Sequence, residues 1–185
     1  MNKYFQSLTP KGRTIVSIIV VAAVLVGIFF LVKWVRSEIR KRKDRKTSQA
    51  TVDASQSEYN ALLNSGQSLS YPASNYISTA NSIQQLLDGC ESASSEMDVV
   101  EAIITVVRKP VDWAKLKVDF GVREIADCGS FGISKTQYDL PTLLKDQLDS
   151  SGFYNINING FSKTGFAFET INVLKDYFQI IGLTI

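Results

Sequence analysis

The chain contains no histidine and only two cysteines in 185 residues. Without histidine there is no Ser-His-Asp or Cys-His catalytic pair and no imidazole to hold a metal. Cys90 and Cys128 are too few for a Cys₄ zinc site and allow at most one disulfide. That excludes a disulfide-dense secreted scaffold. Charge of 21% beside 45% hydrophobic residues also excludes wholesale disorder. What is present is unevenly placed. Residues 1–46 carry eleven Lys/Arg against Glu38 and Asp44, a net +9, whereas residues 47–185 carry nine against sixteen Asp/Glu, a net −7.

The basic end contains an uncharged run from Ile15 to Val32, in which fourteen of eighteen residues are Val, Ile, Leu or Phe. Eighteen helical residues span about 27 Å, close to the hydrocarbon thickness of a bilayer. Insertion would gain about 6 kcal/mol before Ser17 and Gly27 subtract a little. Lys33-Trp34-Val35-Arg36 has none of the small residues of a signal-peptide cleavage site. About 110 residues of remaining domain are too few to surround the run as a buried core helix. The expectation is an uncleaved transmembrane helix over 14–35 behind a short tail, 1–13, with Ile15, Val20, Leu25, Gly27, Phe30 and Val32 in the span. Arg13 and Lys33 bracket the run, and Trp34 sits at an interfacial position. Ala23 and Gly27 form one small-xxx-small pair through which two anchor helices can self-associate.

Positive charge is concentrated on the C-terminal side of the run, at Lys33, Arg36, Arg40 and Lys41 and then at Arg42, Lys43, Arg45 and Lys46. The positive-inside rule puts the C-terminal domain in the cytoplasm and the N-terminus outside. The basic juxtamembrane segment 36–46 suits anionic headgroups. The same charges can hold nucleic-acid phosphates without sequence preference, since no aromatic residues interleave with them and no groove-reading helix follows. Residues 47–75, rich in Ser, Gln, Ala and Asn, read as a polar linker. A short helix can form around 56–64, where Tyr59, Leu62 and Leu63 share a face, and the rest reads as a tether reaching roughly 30 Å.

From residue 76 to 185 the apolar spacing is mostly helical. Ile83, Leu86 and Leu87 form one stripe, ended by Asp88-Gly89. A second helix opens at Ser94-Ser95-Glu96, with Ser95 and Asp98 resembling a capping box, and turns Val99, Val100, Ile103, Ile104 and Val107 inward. Asp112 can cap a third helix carrying Trp113, Leu116 and Phe120 and stopped by Gly121. Asp139-Leu-Pro141 begins a fourth, with Leu140, Leu144 and Leu148 aligned. The last helix holds Ile171, Leu174, Phe178 and Ile181. Between them, Phe153-Tyr-Asn-Ile-Asn-Ile158 alternates, and Asn159-Gly160 is the preferred dipeptide for a tight turn. A short β-hairpin at 153–168 follows, marginal unless it packs on the helices.

This order of helices is similar to a single annexin-type repeat. It looks most like the annexin-like domain of proteins from phages of Bacteroidetes-type bacteria and from their hosts. The resemblance lies in Ile83, Leu87 and Gly89, in Glu96, Val99 and Val100, in Phe120-Gly-Val-Arg123, in Asp139-Leu140 with Leu144 and Leu148, and in Ile171-Asn172, Leu174 and Gly182. It covers about 110 residues and is most specific at Phe120-Gly-Val-Arg123 and Asp139-Leu140. Two departures stand out. Annexin calcium sites resemble G-x-G-T with a downstream acid, but this chain reads Gly89-Cys-Glu-Ser-Ala-Ser-Ser-Glu96, so calcium-dependent lipid binding is not carried over. The stretch 153–168 looks inserted. A single repeat implies a packing or docking module.

No catalytic constellation emerges. Gly160-Phe-Ser-Lys-Thr-Gly165 superficially resembles a phosphate loop, but Phe166-Ala167 stands where a Walker sequence needs Lys-Ser/Thr. Asp88, Glu91, Glu96, Asp98 and Glu101 cluster near one loop, as acids at solvated helix starts do. Cys128 sits between Asp127 and Gly129, where a neighbouring acid would raise a thiol pKa, and Arg123 reads as a structural ion-pairing residue. The expected fold is therefore mainly α: one transmembrane helix plus a small annexin-repeat-like helical bundle, with neither cofactor nor metal. The resemblance implies a virion membrane protein of a lipid-containing bacteriophage, in the virion internal membrane and the host inner membrane, joining the bilayer to capsid or genome. The alternative is a subunit of a bacterial inner-membrane envelope machine that docks a protein partner.

Overall fold

The computed structural model describes residues 46–89, 92–126 and 135–185, which belong to one compact unit. The apolar run 15–32, the basic residues from Lys33 to Arg45, the Ala23/Gly27 pair, Glu91 and both cysteines lie outside the described residues. Lys46, the last of the basic group, is exposed. Among the described residues no helix is long and apolar enough to cross a membrane. They are mainly helical, with two small antiparallel hairpins inserted between helices.

Among the described residues the first helix, α1, occupies 46–64; it takes in the short helix expected around 56–64 and runs on through residues expected to be tether. Ser48 and Ser55 are buried, and Thr51, Val52, Tyr59 and Leu62 continue their stripe half-buried at helical spacing. Hydroxyls make this seam burial-competent. Ser55 Oγ donates to the Thr51 carbonyl at 2.8 Å and Thr51 Oγ1 to that of Thr47 at 3.1 Å, so neither needs an outside partner. Glu58 receives Lys117 Nζ at 2.5 Å, and Lys115 lies over the Tyr59 ring at 5.8 Å. The following turn is also docked: Leu69 and Tyr71 pack on the core. The folded domain therefore takes in most of the stretch expected to be a tether.

Helix α2 (Ala73–Leu86) buries Tyr76, Ala80 and Ile83 on one side, with Leu87 continuing the stripe. Helix α3 (Ala93–Val106) starts before the expected Ser94–Glu96. Its N-cap is Ser92, whose backbone is extended and whose Oγ accepts the Ser95 N–H at 3.3 Å. Ser95 already has a place inside the first turn and so cannot be the cap. Helix α4 (Pro110–Phe120) places proline at its first position and ends at Gly121 with φ +62°. Helix α5 (Leu140–Gln147) begins where expected, and Asp139 caps it by accepting the Thr142 N–H at 3.0 Å. Helix α6 (Ile171–Ile180) ends before Gly182, where φ is +75°.

Leu87, Val100, Ile104, Leu116 and Phe120 are buried in a common core with Leu140, Leu144, Leu148, Leu174 and Phe178. Each fully buried side chain of this size contributes about 1.5–3 kcal/mol. Trp113 meets Phe178 edge to face, ring centroids 4.9 Å apart, which joins α4 to α6.

Two hairpins interrupt the helices. β1 (Arg123–Ala126) pairs with β2 (Lys135–Tyr138), Arg123 opposite Tyr138, and has no counterpart among the sequence expectations. Its strands have four residues each, too short for alternation to stand out, and burial of Ile125 and Tyr138 secures them. β3 (Gly152–Ile158) and β4 (Phe161–Ala167) form the expected hairpin, with Ile158 opposite Phe161. Asn159 (φ +56°) and Gly160 (φ +81°) supply the two left-handed residues of a type I′ turn.

Candidate docking surface

The β3–β4 hairpin is stable here because its inner face and its turn are both fastened to helices. Ile156 and Phe161 are buried, and Phe161 stacks edge to face on Tyr177 of α6 at 5.4 Å. Tyr154 lies over Gly165, its cross-strand partner; a Cβ there would come within 3.3 Å of the Tyr154 hydroxyl. At the turn, the Asn159 side-chain amide donates to the carbonyls of Ile104 at 2.7 Å and Thr105 at 3.0 Å, while its oxygen accepts from Arg108. Tyr177 Oη donates to the Val107 carbonyl at 2.5 Å. The carbonyls left over at the end of α3 are thus satisfied by side chains from the hairpin turn and from α6.

The outer face is different. Phe153, Asn155 and Asn157 project from β3, and Ser162, Thr164 and Phe166 from β4, with no ionisable group among them. Phe153 is 85% exposed, Phe168 80% and Phe166 48%. Their rings touch edge to face, Phe153 to Phe166 at 5.2 Å and Phe166 to Phe168 at 5.4 Å. At about 200 Å² per ring the patch exposes roughly 400 Å² of aromatic surface. Patches of that size on soluble domains are often functional. Covering it would gain about 10 kcal/mol before association costs. Alternation along 153–158 made the hairpin legible, but which face would be left open was set by its packing on α3 and α6.

Beside the turn, an open cleft of about 600 Å³ runs between β4 and the end of α6. Phe161 and Tyr177 form its floor, Ile180, 71% exposed, one wall, and Arg108 and Lys163 its polar rim. The Arg108 guanidinium lies 5.2 Å from the centre of the Tyr71 ring. Lys163 is ion-paired to Asp176, which raises the lysine pKa chiefly through that hydrogen bond.

The residues singled out for chemistry have structural positions. Asp112 is not an N-cap but the third residue of α4, fully buried beneath four donors: Ser70 N–H at 2.8 Å, Ser70 Oγ at 2.6 Å, Tyr76 Oη at 2.6 Å and the Arg108 N–H at 3.0 Å. Burial, followed by the bond to Asp112, pushes the Tyr76 hydroxyl pKa well above its usual value. Arg123 serves carbonyls rather than an acid. Nε donates to Phe120 O at 2.8 Å and Nη2 to Asp119 O at 3.3 Å, closing the end of α4, while Nη1 reaches Gln84 at 2.7 Å. Burial lowers its pKa.

The acids near Gly89 diverge: Glu96 is buried and accepts the Ser150 N–H at 3.1 Å, and Asp88 accepts the Ala126 N–H at 2.9 Å. Among the described residues no three His, Cys, Asp or Glu side chains come together to hold a metal. The segment 160–165 is a turn and a strand, with its lysine engaged by Asp176, not a phosphate-cradling loop opening a helix. No known protein family matches the chain, and neither a curated protein nor a solved structure does.

Proposed function

We propose that the chain is a non-enzymatic single-pass membrane protein that presents an annexin-repeat-like helical bundle as a docking module. The observation that carries this is the uncharged run 15–32 followed by eight basic residues in fourteen positions, an insertion signal and an orientation signal in succession. On this reading the N-terminus is outside and the domain cytoplasmic, with the basic segment on headgroups or nucleic-acid phosphates. The exposed Phe153, Phe166 and Phe168 support a docking role, because the patch is held on a fastened hairpin and is ready to be covered. Asp112 and Glu96 are committed to hydroxyl and backbone donors inside the domain, which supports structural use of the buried acids.

Five helices follow residue 72, with β1 and β2 between the third and the fourth, and it is the sequence of this stretch that resembles an annexin-like repeat. That resemblance gives the proposal its specific form, a virion membrane protein of a lipid-containing bacteriophage linking bilayer to capsid or genome. Alkaline carbonate extraction tests the anchor: the chain stays with the membrane pellet, and its release to the supernatant would sink the reading. Mass spectrometry of purified, delipidated particles tests the virion form, which fails if the chain is missing from them.

A further inference from the structure

In a domain whose residues 47–185 carry a net −7, Arg108 forms no ion pair with a carboxylate among the described residues, and it lines an open cleft. Its guanidinium is nonetheless held in place, by the Tyr71 ring on one side and by the donation to Asn159 on the other. Ordering an arginine costs side-chain entropy, and a pre-oriented guanidinium with donors to spare matches a carboxylate well. Lys163, the other cation on the rim, is matched by Asp176, so the cleft has one uncompensated positive charge. A single carboxylate balances that charge, whereas a phosphate dianion would overfill it and meet Asp176 as well.

The rest of the cleft indicates what accompanies the carboxylate. Its floor is apolar, since the Tyr177 hydroxyl is already spent on Val107, and Ile180 offers an open aliphatic wall. Ser162 lines the same cleft. In a two-residue type I′ hairpin the closing pair, Ile158 and Phe161, exchanges both backbone bonds. The Ser162 N–H and C=O therefore point to the free side of β4, and among the described residues neither has a partner. A free strand edge of this kind accepts an extended peptide by strand addition.

From this combination we infer that the cleft binds an extended acidic peptide segment, laid along β4 with a carboxylate on Arg108 and a neighbouring aliphatic side chain against Ile180. This site is separate from the phenylalanine patch and does not depend on the membrane anchor.

The test uses the full chain in detergent micelles and a short fluorescent amidated peptide alternating valine with aspartate, followed by anisotropy. Saturable binding with Kd below about 1 mM is expected. The asparagine isostere should bind about tenfold more weakly, and Arg108→Gln should lose about tenfold for the acidic peptide while removing its advantage over the isostere. Ile180→Ser, at an exposed position that folding does not require, should weaken both peptides several-fold. The inference is overturned if the acidic peptide does not saturate, if the isostere binds as tightly, or if neither substitution changes the affinity. Displacement by inorganic phosphate at concentrations where acetate has no effect would also overturn it, by making the cleft a phosphate site.

Discussion

The amide of Asn159 donates to the carbonyl of Ile104 across 2.7 Å, tying a β-turn to a helix end fifty-five residues away in the chain. The same residue sits at φ +56°, a conformation asparagine tolerates better than most. Turn geometry and helix termination are thus vested in one side chain.

Asn159→Ala should therefore lose both the bonds to α3 and the left-handed preference, a destabilisation of about 2–3 kcal/mol. Asn159→Gly keeps the turn but not the bonds and should fall between the two. Thermal denaturation should order the melting temperatures Asn, then Gly, then Ala; equal values for Gly and Asn would remove the amide bonds from the account.

Asp112→Ala leaves the Ser70, Tyr76 and Arg108 donors facing a buried gap. The expected cost is about 3–5 kcal/mol, a large share of the stability of any domain this size. Urea unfolding should show the midpoint lowered with little change in slope, whereas a loss under 1 kcal/mol would mean that water replaces the carboxylate.

Alkaline pH should weaken the fold through Tyr76 and Tyr177, whose hydroxyl pKa values are raised chiefly by burial. A raised folded-state pKa means that the native protein holds these protons more tightly than the unfolded chain. Their contribution is complete below the unfolded tyrosine pKa, about 10, and declines as pH rises beyond it, by about 1.4 kcal/mol per pH unit for each proton. Tyr76→Phe should make the decline above pH 10 shallower, even though it lowers stability at neutral pH by removing the bond to Asp112. A decline as steep as in the parent chain would exclude Tyr76 as a contributor.

Ser55→Leu probes the helix that replaced the expected tether. With Ser55 buried, the larger side chain overpacks the seam by about 1–3 kcal/mol and should loosen α1. Hydrogen exchange over 46–64 would then accelerate while exchange in α2 and α3 stays slow. A freely jointed segment would show fast exchange in both proteins.

Phe153→Ser combined with Phe168→Ser should change folding stability by no more than about 0.5 kcal/mol, because both rings are mostly exposed. Binding of the hydrophobic dye ANS should fall by roughly half. A large stability loss would instead mean that the rings are part of the folded core.

Where apolar residues recur at three- and four-residue steps, as at Val99, Val100, Ile103 and Ile104 or at Leu140 and Leu144, the helices could be read from the chain directly. Asn159-Gly160 between alternating segments was equally legible. Ser48 and Ser55 were not, because hydroxyls that bond back to their own helix make a buried stripe look like a polar linker. β1 and β2 were invisible for a different reason: four residues and one buried isoleucine leave no period to detect. Asp112 looked like a cap because aspartate near a helix start commonly is one. Only the return of Ser70 and Tyr76 onto it, from some forty residues earlier, reveals a buried hub. The cleft at Arg108 was beyond reach for the same reason, since it assembles a loop, a strand and a helix distant in sequence.

The outer face of the β3–β4 hairpin bears no ionised side chain, while the cleft beside it depends on a guanidinium. Raising ionic strength shortens the Debye length from about 8–10 Å at physiological salt to about 3 Å at 1 M, which screens an exposed charge but leaves aromatic contact intact. A partner covering Phe153 and Phe166 should therefore persist in concentrated sodium chloride, while an acidic segment on Arg108 should be washed away, so that one rinse can separate the two kinds of company proposed for this domain.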